Sequence, residues 1–257
     1  MNQKQKREFL IRYLLTENNL KSKIPDEENS QRALFRALVN VRMPKPASED
    51  FLQIQDEYLR EELRLKGITD IAELTPVAPD IYLWQGDITT LKCGGIVNAA
   101  NSQMLGCFCP NHGCIDNAIH TFAGIQLRQA CAEFMELQAH EEPAGQAKIT
   151  KAYNLPCRYV IHTVGPIVYG FLRKQHEIQL ANCYRACLSL AEEYGIQSIA
   201  FCCISTGEFH FPNERAAQIA IQTVSEHKRK TGRNIKVIFN VFKDYDYEIY
   251  AKLLRTN

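Results

Sequence analysis

The sequence predicts an α/β protein: a largely parallel sheet covered by helices on both faces, preceded by a helical extension. Two observations carry this. From Asp80 onward, short apolar and β-branched runs alternate with longer amphipathic stretches, as in a parallel sheet wound through helical crossovers. Before that point only helical periodicity is visible, while every cysteine falls at or after Cys93 and every histidine at or after His112. The 257 residues suit one sizeable α/β domain plus an accessory segment, divided as residues 1–78 and 79–257.

In the extension a helix is predicted near residues 5–17. Residues 31–43 place Leu34, Phe35, Leu38 and Val39 on one face, and residues 49–66 do the same with Phe51, Tyr58, Leu59 and Leu63. Ser48 suits an N-cap and Gly67 a stop, and Met43-Pro44-Lys45-Pro46 separates the two helices. These faces carry too much aliphatic and aromatic surface to stay solvated, so the segment packs rather than links. Further on, Ile81–Trp84 reads as a strand, Gly86–Thr89 as a turn and Gly94–Asn98 as a short buried strand. Residues 115–139 read as one helix, Tyr159–Val164 as a strand, 174–194 as a helix and Ser198–Ile204 as a strand. A helix at 213–230, a strand at Ile235–Phe242 and a helix at 244–254 close the pattern. No internal repeat or low-complexity segment interrupts it.

Lys and Arg number 30 against 29 for Asp and Glu, a formal charge of +1, which gives no footprint of a nucleic-acid binder. No apolar run approaches the roughly 18 residues a bilayer span needs, and the charged start MNQKQKREFLIRYLLTENN is unlike a secretory signal. A soluble cytoplasmic protein is expected. Ten cysteines could suggest a disulfide scaffold, but such scaffolds are usually small secreted domains. Cys157, Cys202 and Cys203 sit in apolar runs where free cysteine acts as a small hydrophobe. Reduced thiols, some of them metal ligands, fit better.

Cys107-Phe108-Cys109-Pro110-Asn111-His112-Gly113-Cys114 puts three thiols and an imidazole in one loop between a predicted strand and a predicted helix. Soft sulfur and borderline nitrogen donors this close point to zinc, and such a junction is where open α/β sheets bind ligands. A metal-free thiol cluster is the alternative. A second strand-to-helix turn, Ser205-Thr206-Gly207-Glu208-Phe209-His210-Phe211-Pro212, offers successive N–H groups near a helix start, an arrangement suited to an anion. Gly207 would let the backbone turn and Phe209 would cover a ligand, although the same residues also serve plain turn geometry. There is no Gly-x-x-x-x-Gly-Lys-Ser/Thr loop and no Gly-x-Gly-x-x-Gly after a strand. His176-Glu177 meets Leu180 where a zinc-protease helix needs a second histidine.

Taken in order, Gly86-Asp87-Ile88-Thr89, Val97-Asn98-Ala99-Ala100-Asn101, Ile115–His120 with Ala123-Gly124, Val160–Pro166 and Ser205–Pro212 resemble the macrodomain motifs. The resemblance runs from about residue 80 to the C-terminus. It implies a three-layer α/β/α fold with a mixed, largely parallel sheet. Where most macrodomains carry a glycine-rich run, this chain has the Cys107–Cys114 loop. With the extension, that departure resembles the zinc-dependent macrodomains, ADP-ribosyl hydrolases often encoded beside a class M sirtuin and a lipoyl-carrier-like protein.

The resemblance implies a zinc-dependent mono-ADP-ribosyl hydrolase. Its substrate would be a mono-ADP-ribosylated protein, such as a lipoyl-carrier-like protein modified by a class M sirtuin. Asp87 would accept from the adenine amino group with Ile88 beside it, and Asn101 would bind the distal ribose. Cys114, Ile115 and Asp116 would line the same site, and Asn98 would shape the loop. Ser205, Thr206, Gly207, Glu208 and Phe209 would wrap the diphosphate through backbone N–H groups, the Glu208 side chain turned away, with His210 also in contact. Cys107, His112 and Cys114 match the zinc ligands; such a set leaves a fourth position open, as a catalytic zinc requires. A fourth thiolate from Cys109 would close the site and make it structural, although four ligands within eight residues would strain the loop. Asn101 and Asp116 would be the catalytic pair, Asp116 orienting water or acting as base, while His120 and His162 belong to the scaffold. The other reading is a non-catalytic module that binds ADP-ribose and uses zinc only to shape its loop.

Overall fold

A computed structural model describes residues 1–255. Three helices open the chain: α1 (Gln3–Glu17), α2 (Glu28–Val41) and α3 (Glu49–Lys66). Each begins on a side-chain cap. Asn2 accepts from the Gln5 N–H in a capping box, Glu27 from the N–H groups of Asn29 and Ser30, and Ser48 from that of Phe51. The Glu27 cap explains why α2 starts at Glu28 and not at 31, since the apolar stripe begins only in the second turn. Gly67 closes α3 at φ +93, a conformation a Cβ disfavours. Leu10, Ile11, Leu14, Phe35, Leu38, Phe51 and Tyr58 pack into one apolar cluster, which also takes in Ile125 from beyond the extension.

The remaining elements are β1 (Thr69–Asp70), β2 (Ile81–Gln85), β3 (Leu91–Lys92), β4 (Gly95–Ala100), α4 (Ile115–Ala123), α5 (Ile125–Gln138), β5 (Ala147–Lys151), β6 (Tyr159–Val164), α6 (Lys174–Glu193), β7 (Ser198–Phe201), α7 (Asn213–Thr231), β8 (Lys236–Val241) and α8 (Asp244–Arg255). Six strands form a mixed sheet in the order β2-β8-β7-β4-β6-β5, with every pairing parallel except β5 against β6. β1 and β3 make a small parallel pair of their own. Neighbouring Ile96 and Val97 point to opposite faces of β4 and both are fully buried, as are Val160 and Ile161 in β6. Both faces of the sheet are therefore covered, with Ile119, Leu180, Leu188, Ala217 and Val224 among the helical residues in the same core.

Because β2, β4, β6, β7 and β8 all run the same way, the segments that follow them leave one edge of the sheet. The expected helix over 115–139 is two helices. Gly124, at φ +98, ends α4 and admits α5 in a new direction. β5 lies at the sheet edge and is absent from the sequence-based reading, because Ala147-Lys148-Ile149-Thr150-Lys151 has the charged, half-exposed pattern of an edge strand. The strands expected at 198–204 and 235–242 end early, at Phe201 and Val241, which turns the residues after them into site-forming loops. No helix among the described residues is long and apolar enough to cross a membrane.

Candidate functional site

Three of the segments at the C-terminal strand edge carry the predicted residues, those after β2, β4 and β7. After β2, Asp87 caps a short 3-10 turn, its Oδ1 accepting from the Thr89 N–H and hydroxyl. Its other oxygen pairs with Lys66 at the end of α3. Against the upward push of burial, Lys66 and Thr89 hold this carboxyl below the usual carboxylate range. The side chain of Ile88 is 1% exposed and belongs to the core. Gly86 N–H donates to Val241 O, which brings the Asp87 turn beside Phe242. Phe242 is 75% exposed, an unusual position for a phenyl ring. The sequence reading runs the strand through Phe242, because this residue continues the apolar run of Ile235–Val241 and only the structure shows the ladder ending before it.

After β4, Asn101 holds the loop that follows it: Nδ2 donates to Gly106 O at 3.1 Å and Oδ1 accepts from the Gln103 N–H. Asn98 is no loop residue. It lies fully buried within β4, donating to Asp116 Oδ1 at 2.8 Å and lying 3.1 Å from His162 Nδ1. Asp116, in the first turn of α4, is 5% exposed, and burial pushes its carboxyl up to about 6 against the opposing Asn98 hydrogen bond and Arg128. His120 Nε2 is 3.5 Å from the same Asp116 oxygen, while His162 also meets Thr150 and Cys131. The two histidines thus sit in a buried polar cluster beneath Asp116.

The Cys107–Cys114 loop folds back on itself. Its donor atoms from Cys107, His112 and Cys114 lie within 4.8 Å of one another, with Cys107 Sγ 3.6 Å from His112 Nδ1. Zn–S and Zn–N bonds of about 2.3 and 2.0 Å at a tetrahedral angle put sulfur and nitrogen about 3.5 Å apart. The donor set and its spacing fit zinc. Cys109 is exposed and stands outside this group; its carbonyl instead accepts from Asn117 Nδ2. Cys114 caps α4, its Sγ accepting from the Asn117 N–H at 3.4 Å, and burial pushes its thiol up to about 12. A bound cation would reverse that preference. Ile115 follows as the first residue of α4.

After β7, the chain turns through Ser205 at φ +65 and His210 at φ +55. Gly207 was expected to supply this turn, but its own φ is ordinary, and a Cβ there would meet nothing within 4 Å. The N–H groups of Gly207, Glu208 and Phe209 find no hydrogen-bond partner among the described residues. Three successive donors without a partner, beside open space at Gly207, suit an anion cradle. The Phe209 carbonyl is held by the Val168 N–H, and the residue is half-buried. Thr206 Oγ1 returns to Cys203 O, and His210 is exposed. Contrary to the expectation that it would turn away, the Glu208 carboxylate reaches to 3.6 Å from His112 Nε2, leaving Nδ1 for the metal position. Such a carboxylate–imidazole contact orients a ligating histidine, and it brings the metal loop and the anion loop together. A separate cavity of about 640 Å³ runs between α2, α3 and α4, walled by Phe35, Tyr58, Leu59, Leu63, Phe122 and Leu155, and takes in none of the predicted ligand residues.

Residues 97–220 match the sequence profile of the family described as "Macro domain". The chain is 56% identical over 260 residues to a protein of Treponema medium named "Protein-ADP-ribose hydrolase", covering 99% of this chain and all of that one. It is 49% identical over 221 residues to a Staphylococcus aureus protein of the same name, covering 85% of this chain and 83% of that one. The Trypanosoma brucei macrodomain solved in complex with ADP-ribose superimposes with a TM-score of 0.67 at 32% identity, over 85% of this chain and 94% of that one.

Proposed function

The chain belongs to the Macro domain family, and from that premise we propose that it is a zinc-dependent hydrolase that removes mono-ADP-ribose from modified protein side chains. Two relatives named as protein-ADP-ribose hydrolases, one of them matched over its full length, support the reaction. One observation carries the zinc: the donor atoms of Cys107, His112 and Cys114 converge within 4.8 Å, in a loop flanked by Asn101 and Asp116 and touched by Glu208 of the anion cradle.

In this reading the N–H groups of Gly207, Glu208 and Phe209, none of which has a partner among the described residues, hold the diphosphate. Asp87 accepts from the adenine amino group with the oxygen it now shares with Lys66, and the exposed Phe242 ring stacks on the base. Asn101, at the end of β4, faces the distal ribose and fixes it without adding charge. Cys107, His112 and Cys114 would hold the zinc, with Cys109 outside the donor set; three protein ligands would leave a position open for the substrate. Zinc bound there supplies Lewis-acid polarisation at the scissile end of the ribose. Asp116, fixed by Asn98, orients the incoming water. The acceptor protein, on this reading a lipoyl-carrier-like protein modified by a class M sirtuin, lies beyond the distal ribose.

The test incubates a mono-ADP-ribosylated carrier protein with the zinc-loaded protein, the Cys107→Ala variant and chelator-treated protein, following release of ADP-ribose. Turnover by the zinc-loaded protein alone is expected. Tight binding without turnover would mean a binding module, and full activity of folded zinc-free protein would remove the metal from the reaction.

A further inference from the structure

The Cys107–Cys114 segment has little to shape it from within. No helix or strand lies between Ala100 and Ile115, and the one backbone bond inside the segment runs from the His112 N–H to Cys109 O at 3.3 Å. Asn111 is held at φ +55, where a non-glycine residue is unfavourable. A loop of this kind, left alone, would sample many shapes and pay for ordering when its donors converged on a metal.

Its order comes from α2. Arg36 and Asn40 stand one helical turn apart on the side of α2 facing α4, beside the apolar stripe of Phe35, Leu38 and Val39. Arg36 Nη2 donates to His112 O at 2.9 Å, and Nε and Nη2 donate to Asn117 Oδ1 at 3.0 and 2.7 Å. Asn117 is fully buried and spends its other groups on the loop, donating from Nδ2 to Cys109 O and from its N–H to Cys114 Sγ. Asn40 accepts from the Asn111 N–H at 3.0 Å, holding the strained residue, and donates to Thr121 Oγ1 at 2.9 Å. From α5, Arg128 completes the frame. It donates to Leu105 O, and to Val39 O and Arg42 O at the end of α2, with its guanidinium 4.4 Å over the Phe108 ring. An interface serving only to cover apolar surface would not need this network of buried and half-buried polar bonds, costly where a buried group is left half made.

We propose that the N-terminal extension is a positioning element for the metal loop, in which Arg36 and Asn40 preform the Cys107–Cys114 backbone so that its three donors converge before the metal arrives. This rests on the zinc reading above. Arg36 and Asn40 touch neither metal nor substrate; they set metal affinity through the shape of the loop.

The test measures zinc affinity by competition with a chromophoric chelator, and amide hydrogen exchange over residues 105–114 in the metal-free protein. Arg36→Met keeps the packed stem and removes the donors. It is expected to weaken zinc binding about 10–100-fold and to speed exchange across the loop, with Arg36→Lys recovering part of both. Arg32→Met, one turn earlier, loses ion pairs to Glu28 and Glu62 that do not reach the loop. It should leave zinc affinity and loop exchange unchanged while lowering the melting temperature about as much. Asn40→Ala, read in the same way, decides the matter if Arg36→Met fails to fold. Wild-type zinc affinity in a folded Arg36→Met or Asn40→Ala, or unchanged loop exchange, would overturn the proposal. If the wild-type protein takes up no zinc, the zinc reading fails by itself, and the exchange measurement still decides whether α2 orders the loop.

Discussion

Gly165 and Gly207 flank the anion loop and answer opposite demands. A Cβ on Gly165 would lie 2.0 Å from Ser205 Oγ, so glycine is needed there for backbone and loop to approach. A Cβ on Gly207 would meet nothing within 4 Å, so the free protein has no need of glycine at that point. If the open space is the diphosphate seat, Gly207→Ala leaves the melting temperature unchanged but weakens ADP-ribose binding by about tenfold or more, as one misplaced group in a packed polar site does. Gly165→Ala, by contrast, lowers stability by about 1–3 kcal/mol and disturbs binding with it. Titration calorimetry beside thermal melts separates the two, and unaltered ADP-ribose affinity in Gly207→Ala would remove the diphosphate from this loop. The glycine was legible in the sequence but its reason was not, because the left-handed turns fall on Ser205 and His210. Spacing alone likewise gave no sign that Glu208 would reach His112.

Among the elements, the break between α4 and α5 is the most exacting. Residues 115–139 read as one helix in the sequence, yet Gly124 at φ +98 divides it, and Gln55 of α3 accepts from the Ile125 N–H exposed by the break. Asn154 meanwhile donates to Ala123 O. Gly124→Ala is expected to cost about 2 kcal/mol or more, since it adds positive-φ strain to a Cβ placed 2.6 Å from Gln126 Oε1 and 2.7 Å from Gln55 Nε2. A melting temperature equal to wild type would show that the chain can redirect without glycine. The capped helices were well signalled: Ser48 and Gly67 bound α3 where the sequence put them. Asn2 and Glu27 set helix starts that apolar periodicity could not, because a cap lies outside the stripe it begins. β5 was missed because an edge strand buries too little to show a hydrophobic pattern.

At the scale of the molecule, the buried cluster below the site makes stability depend on pH. Burial pulls His162 down to about 3 and His120 well below the usual histidine range. An unfolded histidine takes a proton near pH 6.5 while folded His162 stays neutral until about 3, so stability is full above roughly pH 6.5 and is lost as pH falls through that window. For His162 the loss at pH 5 is about 2 kcal/mol. Asp116, raised to about 6, acts in the opposite sense: its burial costs stability as pH rises from about 4 to 6, and that cost is relieved by acid. With two histidines against one aspartate, the metal-free protein should melt lower at pH 5 than at pH 7, and His162→Gln should flatten the slope. A melting temperature that holds or rises on acidification would mean that the imidazoles are not buried neutral. By itself the sequence determined the alternation of strands and helices, the caps of α3, the donor types of the Cys107–Cys114 loop and the free N–H turn after β7. Each of these is written within one short stretch of chain, where periodicity, capping and ligand chemistry act. Only the tertiary structure decided that Arg36 would hold His112 and Asn117, that Lys66 would hold Asp87, that Asn98 would hold Asp116, and that Cys109 would stand apart from the other donors. Those pairings depend on sheet order and on how helices dock, and no local pattern records which distant side chain the fold will bring to a given donor.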